Sequence, residues 1–298
     1  MSEQKWQRKS LRQLVDEMEK IGHKISHVTI GRLLKAMNYS LEANVKRLAG
    51  AKHPDRNQQF EYILQQRQTY SAAGLPIISV DTKKKEWIGN FKNPGRTWRQ
   101  QAEAVLDHDF EQDALGKAIP YGIYDLKYNQ GYVYVGKSAD TPQFAVEMIV
   151  RWWTTEGKKR YPQADKLLIL ADAGGSNGCR PRVWKYQLQD QLADHLGLEV
   201  TVCHYPTGTS KWNPIEHQLF GPISVNWAGE PLRTFEFMLA CIRGTSNDTG
   251  LTVQACLIEQ VYEKGVKVAK EAMDALNIHF HATCPRWNYT IKPRLSCV

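Results

Sequence analysis

The sequence predicts an α/β fold: a mixed five-stranded sheet with helices on both faces, preceded by a small all-α region. Three observations carry this. Five short apolar runs read as strands, namely LPIISVD, YGIYDL, GYVYVG, KLLILAD and LEVTVCHYP. The first three follow one another without a helical pattern between them, whereas the later ones alternate with helix-like segments. Strands in a meander pair antiparallel and strands separated by helices pair parallel, so the combination is a mixed sheet covered on both sides. Ahead of them all, residues 1–74 show helical periodicity and no strand pattern.

From the N-terminus, SLRQLVDEMEKIG places Leu11, Leu14, Val15 and Met18 at three- and four-residue spacing, and Gly22 is a suitable stop. After the turn GHKI, Ser26 can cap a second helix, SHVTIGRLLKAMN, whose apolar stripe is Ile30, Leu33, Leu34 and Met37. Two short amphipathic helices joined by a glycine-containing turn fit a helix-turn-helix, and a small helical bundle with a basic surface fits them equally. In the first case His27, Thr29, Arg32 and Lys35 lie near the outward face of the second helix, where bases and phosphates are read. A polar stretch leads into a third helix, QQFEYILQQRQTYSAAG, and Gly74 with Pro76 marks the expected domain boundary.

In the core, LPIISVD runs straight into Lys83, Lys84 and Lys85, residues 90–118 are irregular, and KYNQ joins the next two strands as a hairpin. DTPQFAVEMIVRWWTTEG is helical, with Thr141 at its cap and Pro142 in its first turn. KLLILAD, the loop GGSNG, and the amphipathic helix RPRVWKYQLQDQLADHLG follow, then LEVTVCHYP and the helix PIEHQLFGPIS. Residues 229–298 hold helix-like and strand-like pieces, LRTFEFMLACIRG, LTVQACLI and WNYTI, and no motif with chemistry of its own. The expected division is a helical DNA-binding region at 1–74, a core at 75–228, and a C-terminal extension at 229–298 packing on the core.

Composition narrows the function. A chain of 298 residues, 42% hydrophobic and 23% charged, can build a real core. No apolar run approaches the roughly 18 residues of a membrane span. MSEQKWQRKS has no apolar segment behind its charges, so a secretory signal is not expected and a cytoplasmic location is. Six scattered cysteines without a C-x-x-C pair argue against a zinc module or a disulfide scaffold. His279 and His281 read as ordinary strand or loop residues. The formal net charge is +8, and residues 1–74 hold 13 Lys/Arg against 7 Asp/Glu, whereas the other 224 hold 26 against 24. A basic N-terminal end suits approach to a polyanion such as DNA.

Two strands end in an acid, at Asp81 and at Asp172. Sites in open α/β sheets form at the carboxyl ends of strands. Neighbouring aspartates repel unless they share a cation, and Mg²⁺ suits a site with few carboxylates plus a substrate phosphate. Either Asp could equally form a turn or a cap. Glu216 is a candidate third acid, yet with Asn213 at N-cap and Pro214 at N1 it also occupies the capping-box position. Gly174, Gly175 and Gly178 would let the backbone of AGGSNG approach a ligand closely.

Four motifs in order, ISVDTKKKEWIGNFKNPGR, LGKAIPYGIYDL, LILADAGGSNG and HYPTGTSKWNPIEHQLF, resemble the DDE transposases of bacterial insertion sequences, of the ISAzo type distantly related to mariner-like elements. The resemblance runs from about residue 10 to WNYTIKPR, nearly the whole chain. It implies a ribonuclease H-like core shared with retroviral integrases. It implies Asp81, Asp172 and Glu216 as catalytic acids holding two Mg²⁺ ions, with Mn²⁺ able to substitute, for in-line attack on a phosphodiester. Asp125, inside a hairpin strand, and Asp140, at a helix start, are runners-up for the second acid. Lys83, Lys84, Lys85 and Lys211 could contact phosphates or form a solvated basic face, and Trp212 could stack on a base or pack beneath its loop. The activity implied is DNA transposition: binding terminal inverted repeats, cutting there and joining the ends to target DNA, as a homodimer or larger assembly associated with the nucleoid. Two alternatives are a nuclease or resolvase of this fold that does not integrate, and a silent DNA-binding remnant acting as repressor. Family members usually carry sequence ahead of the S-L-R-x-L helix, where this chain begins, which is read as a truncated copy, an internally initiated copy or a domain excerpt.

Overall fold

The computed structural model describes residues 10–39 and 54–294. It forms two compact units, residues 1–50 and 51–298. In the first, α1 (Leu11–Lys20) and α2 (His27–Ala36) pack on each other. Ser10 closes a capping box on α1: its hydroxyl accepts the Gln13 N–H, and the Gln13 side chain accepts the Ser10 N–H at 2.8 Å. Ser26 caps α2 by accepting the Thr29 N–H. Of α2 only Ile30 is buried, so the pair covers little of its own apolar stripe.

The second unit is built on one large sheet. Its strands are β1 (Ile77–Thr82), β2 (Glu86–Ile88), β3 (Gly116–Asp125), β4 (Gln130–Gly136), β5 (Lys166–Asp172), β6 (Glu199–Tyr205), β7 (Thr252–Ile258), β8 (Ile278–Phe280) and β9 (Asn288–Ile291). They lie in the order β7-β4-β3-β1-β5-β6-β9-β8, with β2 paired to β3. The five expected strands form the centre, β4-β3-β1-β5-β6, antiparallel through the meander and parallel from β1 to β6. The sheet is larger than five strands because residues 229–298 continue it at both edges: β7 pairs with β4 and β9 with β6. Without them β4 and β6 would present unpaired backbone groups, a liability in any open sheet.

Helices cover both faces. They are α3 (Arg56–Ala72), α4 (Pro142–Trp152) continuing through a π-helical turn into α5 (Lys158–Arg160), α6 (Arg182–Gln187) continuing as a π-helix, α7 (Gly221–Asn226), α8 (Phe235–Arg243) and α9 (Lys270–Asp274). Alternate residues of β1 go to opposite sides, as strand geometry requires. Ile78 and Val80 join Phe144, Trp152, Trp184 and Leu192 in one core, and Ile77 joins Ile63 and Tyr70 of α3 in another. A third cluster packs Leu219, Phe220, Ile223 and Met238 on Val133 and Val135. The N-terminal grouping expected from sequence changes here: α3 belongs with the sheet, since Ile63 and Tyr70 are buried against β1, β5 and β6.

Candidate active site

Strands β1 and β5 run parallel with Val80 opposite Ala171, which sets Asp81 and Asp172 side by side at their carboxyl ends. One oxygen of Asp81 accepts the Thr82 N–H at 2.7 Å, and one of Asp172 accepts from Asn213 Nδ2 at 3.2 Å. Burial, reinforced by the charge of Asp172, pushes the Asp81 pKa up to about 8. Burial and the charge of Glu216 push Asp172 up to about 6. Glu216 is raised too, by burial, against the pull of Lys83. The three carboxylates therefore sense one another in a half-buried place. That conflict is the one a hard cation relieves, and the donor set is all oxygen, so a divalent ion of the Mg²⁺ or Mn²⁺ kind fits its chemistry. Among the described residues no three His, Cys, Asp or Glu side chains close around a single point.

The segment that carries Glu216 is positioned from the sheet. A π-helical turn, Glu216–Phe220, leads into α7. The expected capping box is absent. Asn213 is fully buried, and its side chain turns to the strands instead: Oδ1 accepts from Ser79 Oγ, and Nδ2 donates to Asp172. Ser79 Oγ in turn accepts the Ile215 N–H at 3.1 Å, so a β1 hydroxyl supplies the cap. A buried amide must satisfy itself, and these partners leave no capping role to Asn213 or Glu216. Close approach is possible because β3 has Gly122 directly opposite Asp81; a Cβ there would stand 2.5 Å from the Phe220 ring and 2.9 Å from Ile215. An interior glycine in a strand pattern is the signal that sequence reasoning could have used.

Behind Asp172 lies a buried polar chain. His204 Nδ1 contacts the Asp172 carbonyl at 3.0 Å, its Nε2 meets Tyr289 Oη at 3.2 Å, and Trp184 Nε1 donates to that same hydroxyl at 2.9 Å. Burial holds the His204 pKa down at about 4, so its ring is neutral and serves as a hydrogen-bonding strut. Asn177, also buried, lies against Asp81 and draws its pKa down, although its Nδ2 makes no hydrogen bond of full geometry. Ser79, Asn177 and His204 are neighbours of these carboxylates that motif reading did not single out, and Asn213 was read there only as a cap.

The sequence-nominated residues fare differently. Asp125 lies opposite Ile78, at the far end of β1 from Asp81, where Tyr161 and the N–H groups of Lys127 and Tyr128 bind it. Asp140 lines an open cleft of about 650 Å³ beside Asp81, and pairs with Lys85 at 3.4 Å and Thr82 Oγ1 at 3.0 Å. Lys83 is buried on the wall of that cleft, 3.5 Å from Glu86 and over the Trp227 ring, so it is not a solvated charge. Lys84 is exposed and 3.9 Å from Glu86. Lys211 is exposed, and Trp212 is half-exposed with its ring edge against Phe60. Gly174 and Gly175 face open space, the latter at φ +74°, whereas Gly178 packs tightly on the backbone of Ala173 and Gly174. His27, Arg32 and Lys35 are exposed on α2, and the Thr29 hydroxyl is bonded to Ser26.

Solved structures to which the chain is similar include the Mos1 strand transfer complex, at 17% identity over 80% of this chain and 70% of that one with a TM-score of 0.46. A pre-cleavage Mos1 transpososome matches at 14% identity over 81% and 78%, with the same TM-score. The Mos1 paired-end complex with left transposon end matches at 13% over 79% and 71%, at 0.45. No curated protein sequence matches the chain. The family model described as the Rhodopirellula transposase DDE domain matches residues 1–293. By that match over nearly its whole length, the chain belongs to the DDE transposases, which are DNA-acting enzymes.

Proposed function

We propose that Asp81, Asp172 and Glu216 are the catalytic acids of this transposase and hold Mg²⁺ or Mn²⁺ against a DNA phosphodiester. The observation that carries the reading is the juxtaposition of Asp81 and Asp172 on adjacent parallel strands, with Glu216 raising the pKa of both. A bound pair of ions would supply Lewis-acid stabilisation and an activated water or 3′-hydroxyl. The chain's own residues prepare the site. The Thr82 N–H and Asn213 Nδ2 each hold one carboxylate oxygen, of Asp81 and of Asp172. Glu216 projects from a segment seated on the sheet, so its aim does not depend on a mobile loop. In the N-terminal unit the exposed His27, Arg32 and Lys35 would meet the element's inverted repeats, and Thr29 shapes the start of α2. Joining two ends to a target requires two active sites, which supports a homodimer or larger assembly on nucleoid DNA.

The test is cleavage and strand transfer on a duplex bearing the element's end, with Mg²⁺, for the wild type, Asp172→Asn and Glu216→Gln. Each variant should lose cleavage on the order of a thousandfold, the scale of the several kcal/mol that metal-borne charge contributes. Wild-type rates in Asp172→Asn would remove that residue from the site. Cleavage without strand transfer would favour a nuclease, and binding without cleavage in either metal a repressor.

A further inference from the structure

Beside the lysine-rich cleft lies a second cleft, of about 700 Å³. Its floor is the loop after β5, Gly174 to Gly178, and its rim carries Arg180 and Arg286. The two clefts share Gly175, so they adjoin across the loop that follows Asp172. In the first cleft Lys83 and Lys85 are engaged by Glu86 and Asp140, Lys117 sits over the Trp87 ring, and Lys84 and Lys92 are exposed. Arg180 and Arg286 are exposed and make no ion pair among the described residues. Asp55 is the carboxylate that lines this cleft with them. Gly174 and Gly175 leave open backbone beneath, with nothing within 4 Å of where a Cβ would stand.

We propose that this second cleft binds the phosphodiester backbone of the DNA where it leaves the active site, with Arg180 and Arg286 each gripping a phosphate. Arginine matches phosphate through its planar fork, and glycine backbone lets a strand lie close. The proposal rests on the DNA-cleaving reading above and gives the C-terminal segment a role: Arg286 lies between β8 and β9, so the strands that close the sheet edge also deliver a cation to the rim.

The experiment measures affinity of the full chain for a fluorescein-labelled mixed-sequence DNA duplex across a salt series. Each phosphate contact contributes roughly 0.9 to the slope of log K against log salt. Arg180→Gln with Arg286→Gln should lower the slope by about 1.8. Lys158→Gln with Lys159→Gln changes two exposed lysines near Tyr161, which bonds Asp125 at the opposite end of β1, and should leave the slope unaltered. An unchanged slope in the arginine variant, with the wild type binding normally, overturns this surface alone. An equal loss in the lysine control also overturns it, because the effect would then be of overall charge. A wild type that does not bind the duplex overturns the DNA reading together with the surface.

Discussion

Asp81 holds its proton to about pH 8 when nothing offsets its burial and the neighbouring Asp172. The folded pKa lies above the ordinary 3.8, so the folded state binds more protons than the unfolded one and stability falls as pH rises through 8. His204, held down at about 4, acts in the opposite direction but only below its ordinary 6.5. Between pH 6.5 and 8 the metal-free protein should therefore lose about 1 kcal/mol of unfolding free energy per pH unit. Urea titrations in chelator would read this, and Asp81→Asn should flatten the trend; the same slope in that variant would assign it to another group. Ser79 makes a second residue-scale case. Its hydroxyl donates to Asn213 and accepts from Ile215, linking the Glu216 segment to the partner of Asp172. Ser79→Ala should cost about 1–3 kcal/mol of stability, as an orphaned buried group does. It should also raise the Mg²⁺ concentration needed for half-maximal cleavage, an effect that a purely structural loss would not produce.

At the scale of elements, the decisive fit is between the β3–β4 hairpin and the segment after Asn213. Gly122 and Gly131 have no side chains where Phe220 and Leu219 lie, the latter 2.3 Å from a would-be Cβ. Gly122→Ala should overpack this contact and cost about 1–3 kcal/mol. Because Gly122 stands opposite Asp81, cleavage should fall further than thermal stability. Equal melting temperature and equal turnover in that variant would mean the segment adjusts freely. Local pattern made the helix after Asn213 legible, and its N-P-I-E start suggested a capping box. The cap instead comes from a strand residue 136 positions away, which no local pattern encodes.

Across the whole molecule, the C-terminal segment is part of the sheet. β9 pairs with β6, and Asn288 exchanges side-chain hydrogen bonds with Gln59 of α3, whose amide also donates to the His204 carbonyl. Strand edge, covering helix and the strut behind Asp172 are thereby tied together. Deleting residues 277–298 should abolish soluble folding, because the β6 edge and the apolar face around Tyr289 would be exposed. Asn288→Ala is the milder test, expected to cost about 1–3 kcal/mol by leaving the Gln59 amide short of partners. A truncated chain that melts cooperatively at the full-length temperature would mean the edge strands are dispensable.

By itself the sequence determined the central five strands, the helices between them, and the acids at the strand ends. Alternation of two and periodicity near 3.6 are local properties, and Asp81 and Asp172 follow directly from where apolar strands stop. Only the tertiary structure decided which side chains were already spent. Lys83 and Lys85 read as phosphate contacts or a solvated basic face, and the structure sets Glu86 and Asp140 beside them; Asn213 read as a cap until Ser79 and Asp172 claimed its amide. The edge strands of residues 229–298 were equally hidden, since WNYTI and LTVQACLI gain meaning only beside β6 and β4. Pairing of charges, hydrogen-bond partners and strand edges depends on groups brought together from distant parts of the chain, and that proximity exists only after folding.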